Sequence, residues 1–252
     1  AWLMTTPPQL SRWIRTFHPA PAARTRLICL PHAGGSASYY FPLSSALAPE
    51  FEVYSVQYPG RQDRHKEPFV DSIEDMADQV YTAVGTLPEA PTAFFGHSMG
   101  AVLAFEVTRR LEAAGRQAVT VFASGSRAPS HYGDEREYKD DTGLVDVMRQ
   151  LGGTDPRVLN NPELVDTFLP AFRNDYRALQ AYHRGTDVTI SAPVVVLSAT
   201  DDPKTSEAAA AAWLEHTTAG GDVHMFTGGH FFLEKQAQRV IDVIASTLRT
   251  AG

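Results

Sequence analysis

At 252 residues with 43% hydrophobic content, the chain can bury a full core and reads as one large domain, 1–252, with room for an inserted subdomain. A net charge of −7, from 22 basic and 29 acidic side chains, argues against nucleic acid as the main partner. The single cysteine excludes an internal disulfide, and no apolar run approaches membrane-spanning length, so a cytoplasmic protein without membrane contact is expected, taken as a monomer.

The chain opens on a lead containing Pro7, Pro8, Pro19 and Pro21. Arg12, Arg15, Arg24 and Arg26 stand in it, with no acid before Glu50, so the stretch is a candidate contact for an acidic partner, weighed against ordinary solvated charge. A first strand is expected over 26–31. It ends in Pro31-His32-Ala33-Gly34-Gly35, whose glycines let backbone approach a ligand. Cys29 lies in the apolar run Leu27-Ile28-Cys29-Leu30 and reads as a core thiol, because a reactive one needs polar, electropositive neighbours. A helix from Ser38 is expected to carry Leu43, Ala46 and Leu47 on one face. A second strand, 53–58, closes on Pro59-Gly60 before the polar loop 61–67. Ser72 and Asp75 form a capping box for a helix bearing Ile73, Met76, Ala77, Val80 and Val84.

The run Phe94-Phe95-Gly96-His97-Ser98-Met99-Gly100 then joins a strand-forming stretch to a helix-forming one through a Gly-x-Ser-x-Gly pentapeptide. So tight a strand-to-helix turn strains the serine backbone and needs small neighbours two residues either side, here Gly96 and Gly100. The hydroxyl of Ser98 is pushed out of the sheet, and the amides of the following helix face the same spot. That helix is expected to end at Gly115. Further strands are expected over 119–124, 193–199 and 223–226, and Leu233, Ala237, Val240, Ile241, Ile244 and Leu248 give a final helix its apolar stripe.

Short apolar strands alternating with amphipathic helices predict an α/β fold with a mostly parallel central sheet covered on both faces. One stretch, 128–186, breaks the alternation. It holds an acid-rich segment at 134–141 and a helix starting at Asn161-Pro162, with Leu164, Phe168, Phe172, Tyr176 and Leu179 at helical spacing and a kink expected at Pro170. An insertion at the carboxyl edge of such a sheet sits over the ligand site, so it reads as a helical lid with an apolar underside.

A serine hydroxyl needs a base, and the base an orienting carboxylate, in the chain order Ser, acid, His for a hydrolase sheet. Of nine histidines, His230 in Gly228-Gly229-His230-Phe231-Phe232 follows the last strand and can reach back to Ser98. His97 is expected to point away, and His32 belongs to the glycine turn. The other histidines are scattered without ligand spacing, so no metal is expected. Ser198-Ala199-Thr200-Asp201-Asp202-Pro203 offers two acids. Asp202 is preferred because the residue before a proline is held extended, and Asp201 is the alternative. The oxyanion donors are expected to be the amides of Met99 and Ala33, with Gly34 in reserve.

Together, Pro31-His32-Ala33-Gly34-Gly35, Gln57-Tyr58-Pro59-Gly60-Arg61, Gly96-His97-Ser98-Met99-Gly100, Leu151-Gly152-Gly153-Thr154, Pro170-Ala171-Phe172-Arg173-Asn174-Asp175, Asp202-Pro203 and Gly229-His230-Phe231-Phe232 resemble the stand-alone type II thioesterases of polyketide and nonribosomal peptide assembly lines. One departure is Asn174, where the family often has alanine. The resemblance implies an α/β-hydrolase fold and hydrolysis of acyl groups from the phosphopantetheine arm of an acyl or peptidyl carrier protein. No cofactor of the enzyme's own is implied, since the arm belongs to the partner. It leaves open whether Arg61, Arg64 and Lys66 meet the carrier. The rival readings are a general serine carboxylesterase, a chain-releasing terminal thioesterase, and a catalytically silent binding module on the same fold.

Overall fold

The structure, a computed structural model, describes residues 12–133 and 140–251. Pro7, Pro8 and most of the acid-rich segment lie outside the described residues.

Among the described residues the strands are β1 (Ile14–Arg15), β2 (Arg26–Leu30), β3 (Glu52–Val56), β4 (Thr92–His97), β5 (Val121–Ser124), β6 (Val194–Ala199) and β7 (Gly221–Phe226). They form one sheet in the order β1-β3-β2-β4-β5-β6-β7, parallel throughout except for β1, which pairs antiparallel with β3 at the edge. The mostly parallel sheet matches the expectation. β1 was not expected, because two residues in a proline-rich lead carry no periodicity.

Strand alternation divides the core. Ile28, Leu30 and Phe94 face the helices α2 (Ile73–Gly85) and α3 (Met99–Ala113). Leu27, Cys29 and Phe95 face α1 (Phe41–Leu47) and α9 (Ala237–Thr250) on the other side. Burial pushes the Cys29 thiol far above its usual range, which leaves it inert as a nucleophile. Three local expectations change. Ser44 rather than Ala46 turns inward on α1, where its Oγ lies 2.9 Å from His18 Nδ1. The final helical stretch divides at Gln236 into the single turn α8 (Phe232–Lys235) and α9. The basic lead is largely engaged: Arg26 is buried against Thr92 and the Pro88 carbonyl, Arg15 pairs with Asp63 and Arg12 with Glu67.

Between β5 and β6 the chain forms α4 (Asp141–Leu151), α5 (Pro156–Leu159) and α6 (Pro162–Gln180). Asn161 caps α6 by accepting from the Glu163 and Leu164 amides, with Pro162 at its first position. The helix continues through Pro170. Its buried face is Val165, Leu169, Phe172, Tyr176 and Leu179, whereas Leu164 is 44% exposed. The short helix α7 (Glu207–Ala211) follows β6.

Candidate active site

β4 ends at the elbow. Ser98 takes φ 57° and ψ −119°, a strained combination for a residue with a side chain, and its amide is anchored on the Ser124 carbonyl of β5 at 2.8 Å. The flanking glycines are steric requirements. A Cβ on Gly96 would lie 2.0 Å from the Gly100 carbonyl oxygen, and one on Gly100 would lie 1.9 Å from that of Leu30. α3 begins at Met99, so its first amide stands beside the Ser98 hydroxyl.

The loops after β6 and β7 bring Asp202 and His230 together. Asp202 Oδ2 lies 2.8 Å from His230 Nδ1, and both residues are buried. A carboxylate only accepts, so Nδ1 carries the proton and Nε2 is left with its lone pair. Asp202 Oδ1 accepts from the Lys204 amide at 2.9 Å, which fixes the carboxylate plane. Asp201 is exposed, and its amide donates to the Gly228 carbonyl at 2.9 Å. The partner of His230 is therefore Asp202.

Ser98, His230, Ala33 and Gly34 line one cavity of about 370 Å³. The helical insertion roofs it with Met148, Leu151, Val158, Phe168 and Phe172. Gly34 does not offer its amide to the cavity, because that amide donates to Asp175 Oδ2 of α6 at 2.8 Å. Of the two amides expected as candidates in this turn, that of Gly34 is thus engaged by Asp175.

His97 points away from the cavity, as expected, but packs against His230. Its ring is fully buried with its centroid 5.0 Å from that of His230, and its Nδ1 lies 2.9 Å from Ser124 Oγ. His32 packs edge-on against Phe231 at 4.9 Å and Tyr39 at 4.7 Å. Burial, with His230 close by, drives the His97 imidazole well below its usual range and His32 to about 3, so both are neutral at physiological pH. They form an uncharged aromatic wall behind the base.

Residues to which the sequence assigned no structural part hold the turn after β2. Tyr40 donates to the Leu30 carbonyl at 2.6 Å, Tyr58 to that of Pro31 at 2.8 Å, and Gln57 Oε1 accepts from the Ala37 amide at 2.7 Å. Arg61 is buried in an ion pair with Asp175, and Arg64 bonds Glu67 and the Gln57 carbonyl. Of the three cations left open for carrier contact, Lys66 alone is exposed. The Tyr-Pro-Gly-Arg stretch is thus a brace for the turn. Among the described residues no cluster of His, Cys, Asp or Glu is placed to hold a metal ion, and no helix is long and apolar enough to cross a membrane.

The sequence model of the Thioesterase domain family matches residues 25–248, nearly the whole chain. The chain belongs to the thioesterase family. This thioesterase is 48% identical over 239 residues to the probable cadicidin biosynthesis thioesterase of Streptomyces griseus, covering 94% of this chain and 66% of that one. It is 44% identical over 241 residues to thioesterase PikA5 of Streptomyces venezuelae, covering 94% and 85%. Among solved structures it is similar to the type II thioesterase BorB from the borrelidin biosynthetic cluster, with 41% identity, 94% and 97% coverage and a TM-score of 0.84. The thioesterase YbtT of the yersiniabactin pathway superposes with a TM-score of 0.86 at 26% identity, over 95% and 99% of the two chains. The fold is that of the α/β-hydrolase thioesterases, and the protein is a serine hydrolase acting on thioesters.

Proposed function

We propose that the protein is an editing thioesterase that clears acyl groups from the phosphopantetheine arm of acyl or peptidyl carrier proteins in a polyketide or nonribosomal peptide assembly line, through an acyl-Ser98 intermediate. The observation that carries this reading is the Asp202–His230 pair opening, together with Ser98 and the Ala33 turn, onto an apolar cavity under helices α4 to α6. The relatives named as type II thioesterases supply the substrate class.

His230 Nε2 takes the Ser98 proton as Oγ attacks the thioester carbonyl. The amides of Met99 and Ala33 hold the oxyanion, and Asp202 stabilises the imidazolium. The C–S bond then breaks and the thiol leaves with the proton from His230. A simple thiol has a pKa of about 8.5, so it needs little acid assistance compared with an alcohol. Water, deprotonated by His230, attacks the acyl-serine; the acid departs and Ser98 regains its proton. The insertion acts as a lid whose underside meets the acyl chain, and 370 Å³ lies near the lower end of ordinary ligand pockets, which suits short acyl groups.

The test compares a thioester and an oxygen ester of the same acyl group. We expect kcat/KM for the thioester to be higher by about tenfold or more, a difference of about 1.4 kcal/mol in the barrier. Equal or better hydrolysis of the oxygen ester assigns the site to a general carboxylesterase instead.

A further inference from the structure

Asp175 projects from α6, a helix of the insertion, yet it is 1% exposed and surrounded by donors from three parts of the chain. Its Oδ2 accepts from the Gly34 amide at 2.8 Å and from Arg61 Nη1. Its Oδ1 accepts from Arg61 Nη2 at 3.0 Å and from Asn174 Nδ2 at 3.2 Å. Asn174 donates in addition to the Val70 carbonyl at 2.8 Å, so the departure from alanine at this position adds a tie between helix and body.

The glycine at position 34 is what allows the approach. Gly34 takes φ +76°, and a Cβ there would lie 3.2 Å from Phe172 Cβ, one turn before Asp175. The helix therefore rests directly on the turn that carries the expected oxyanion donor. The planar peptide between Ala33 and Gly34 is held by its N–H on Asp175, which removes one of the soft torsions around Ala33 and restricts where the Ala33 amide can point. Arg61 does the complementary task. It neutralises the buried carboxylate and reaches the Gly35 carbonyl at 3.4 Å.

We propose that Asp175 is a positioning residue for catalysis: through its bond to the Gly34 amide it aims the Ala33 N–H at the oxyanion, so that seating of the lid helix completes the active site. The inference rests on the acyl-Ser98 reading above. A merely structural Arg61–Asp175 ion pair would anchor the insertion and leave turnover per folded molecule unchanged.

Two variants separate these cases, each checked by its thermal midpoint and assayed by thiol release from a propionyl-N-acetylcysteamine thioester. Asp175→Glu keeps the charge for Arg61 but displaces the carboxylate by one methylene from Gly34. Arg61→Met combined with Asp175→Asn removes both charges while leaving an acceptor for the Gly34 amide. We expect Asp175→Glu to lower kcat by about 10- to 100-fold with KM within threefold, less than the loss on deleting an oxyanion donor outright. The double variant is expected to keep kcat within about fivefold of wild type despite a lower midpoint. Wild-type kcat in Asp175→Glu, a loss confined to KM, or an equal loss of kcat in the double variant would overturn the proposal. If Asp175→Glu does not fold, Arg61→Met combined with Asp175→Leu takes its place, since it removes both charges and the acceptor as well; kcat equal to that of the Asn double variant would overturn the proposal. Wild-type protein that fails to release thiol, or releases it equally after Ser98→Ala, refutes the acyl-serine reading itself and is read from the control arm.

Discussion

The two ends of the helical insertion are built differently. The rear end, from Phe172 onward, is fastened to the body by charge. Asp175 pairs with Arg61, and beyond α6 both Tyr182 and Arg184 reach Glu106 on the elbow helix, with Arg184 extending to Glu74 on α2. Glu106 is completely buried; burial alone would raise its pKa, but the surrounding Arg184, Arg109 and Tyr182 hold it below the usual carboxylate range. The front end is different. α4, α5 and the start of α6 share an apolar cluster of Leu144, Val147, Met148, Leu159, Val165 and Leu169 that runs on into Phe172 and Tyr176 of the rear, and the ion pairs Arg173–Asp141 and Arg157–Asp155 stay within the insertion. The front contributes much of the cavity roof, and the rear joins the elbow helix and the oxyanion turn. One insertion thus combines an end tied to the body by charge with an end held by apolar packing; in the proposed function the first sets geometry and the second sets what fits.

Breaking the rear should have the largest effect. Arg184→Ala leaves the buried Glu106 short of one donor and should lower unfolding stability by roughly 1–3 kcal/mol, read as a lower urea midpoint. An unchanged midpoint would mean that the charged cluster does not fasten the insertion. Changing the front should act on selectivity instead. Val158→Trp fills part of the cavity and should lower kcat/KM for an octanoyl thioester relative to a propionyl one by about tenfold, with stability little changed. An unaltered chain-length profile would detach the front from substrate choice.

The smallest effect concerns the wall behind His230. His97 and His32 have lowered pKa values in the fold, so the unfolded chain takes up their protons below about pH 6.5 while the folded protein resists. Their contribution is intact above that pH and is lost as pH falls toward 3, at up to about 1.4 kcal/mol per pH unit for each group. His97→Gln should flatten the fall of thermal midpoint between pH 6.5 and 4.5. The same slope in both proteins would show that His97 is protonated in the fold.

The elbow was legible because its pattern is local: Gly96, Ser98 and Gly100 lie within five residues, although only Gly96 answers a clash inside that turn and Gly100 answers one with the Leu30 carbonyl of β2. Asp202 was legible because Pro203 marks a chain direction. The braces were not. Arg61 and Asp175 stand 114 positions apart, and nothing near either residue says that the guanidinium turns inward; the polarity of loop 61–67 suggests the reverse. That the Gly34 amide is engaged by Asp175 likewise needed the position of α6, since by sequence alone the amides of Ala33 and Gly34 both suit the turn. His97 turns away from the cavity as expected, but alternation along a strand does not say that its ring packs against His230 there. β1 and the break at Gln236 escaped because two residues, or one, are too few to disturb a periodic pattern.

The most direct measurement is intact-mass spectrometry of a propionyl-phosphopantetheinyl carrier protein incubated with wild-type enzyme and with Ser98→Ala. The account predicts that wild type returns the carrier to its free-thiol mass while Ser98→Ala leaves the acyl mass in place. Unloading by both proteins, or by neither while wild type cleaves simple oxygen esters, would contradict it.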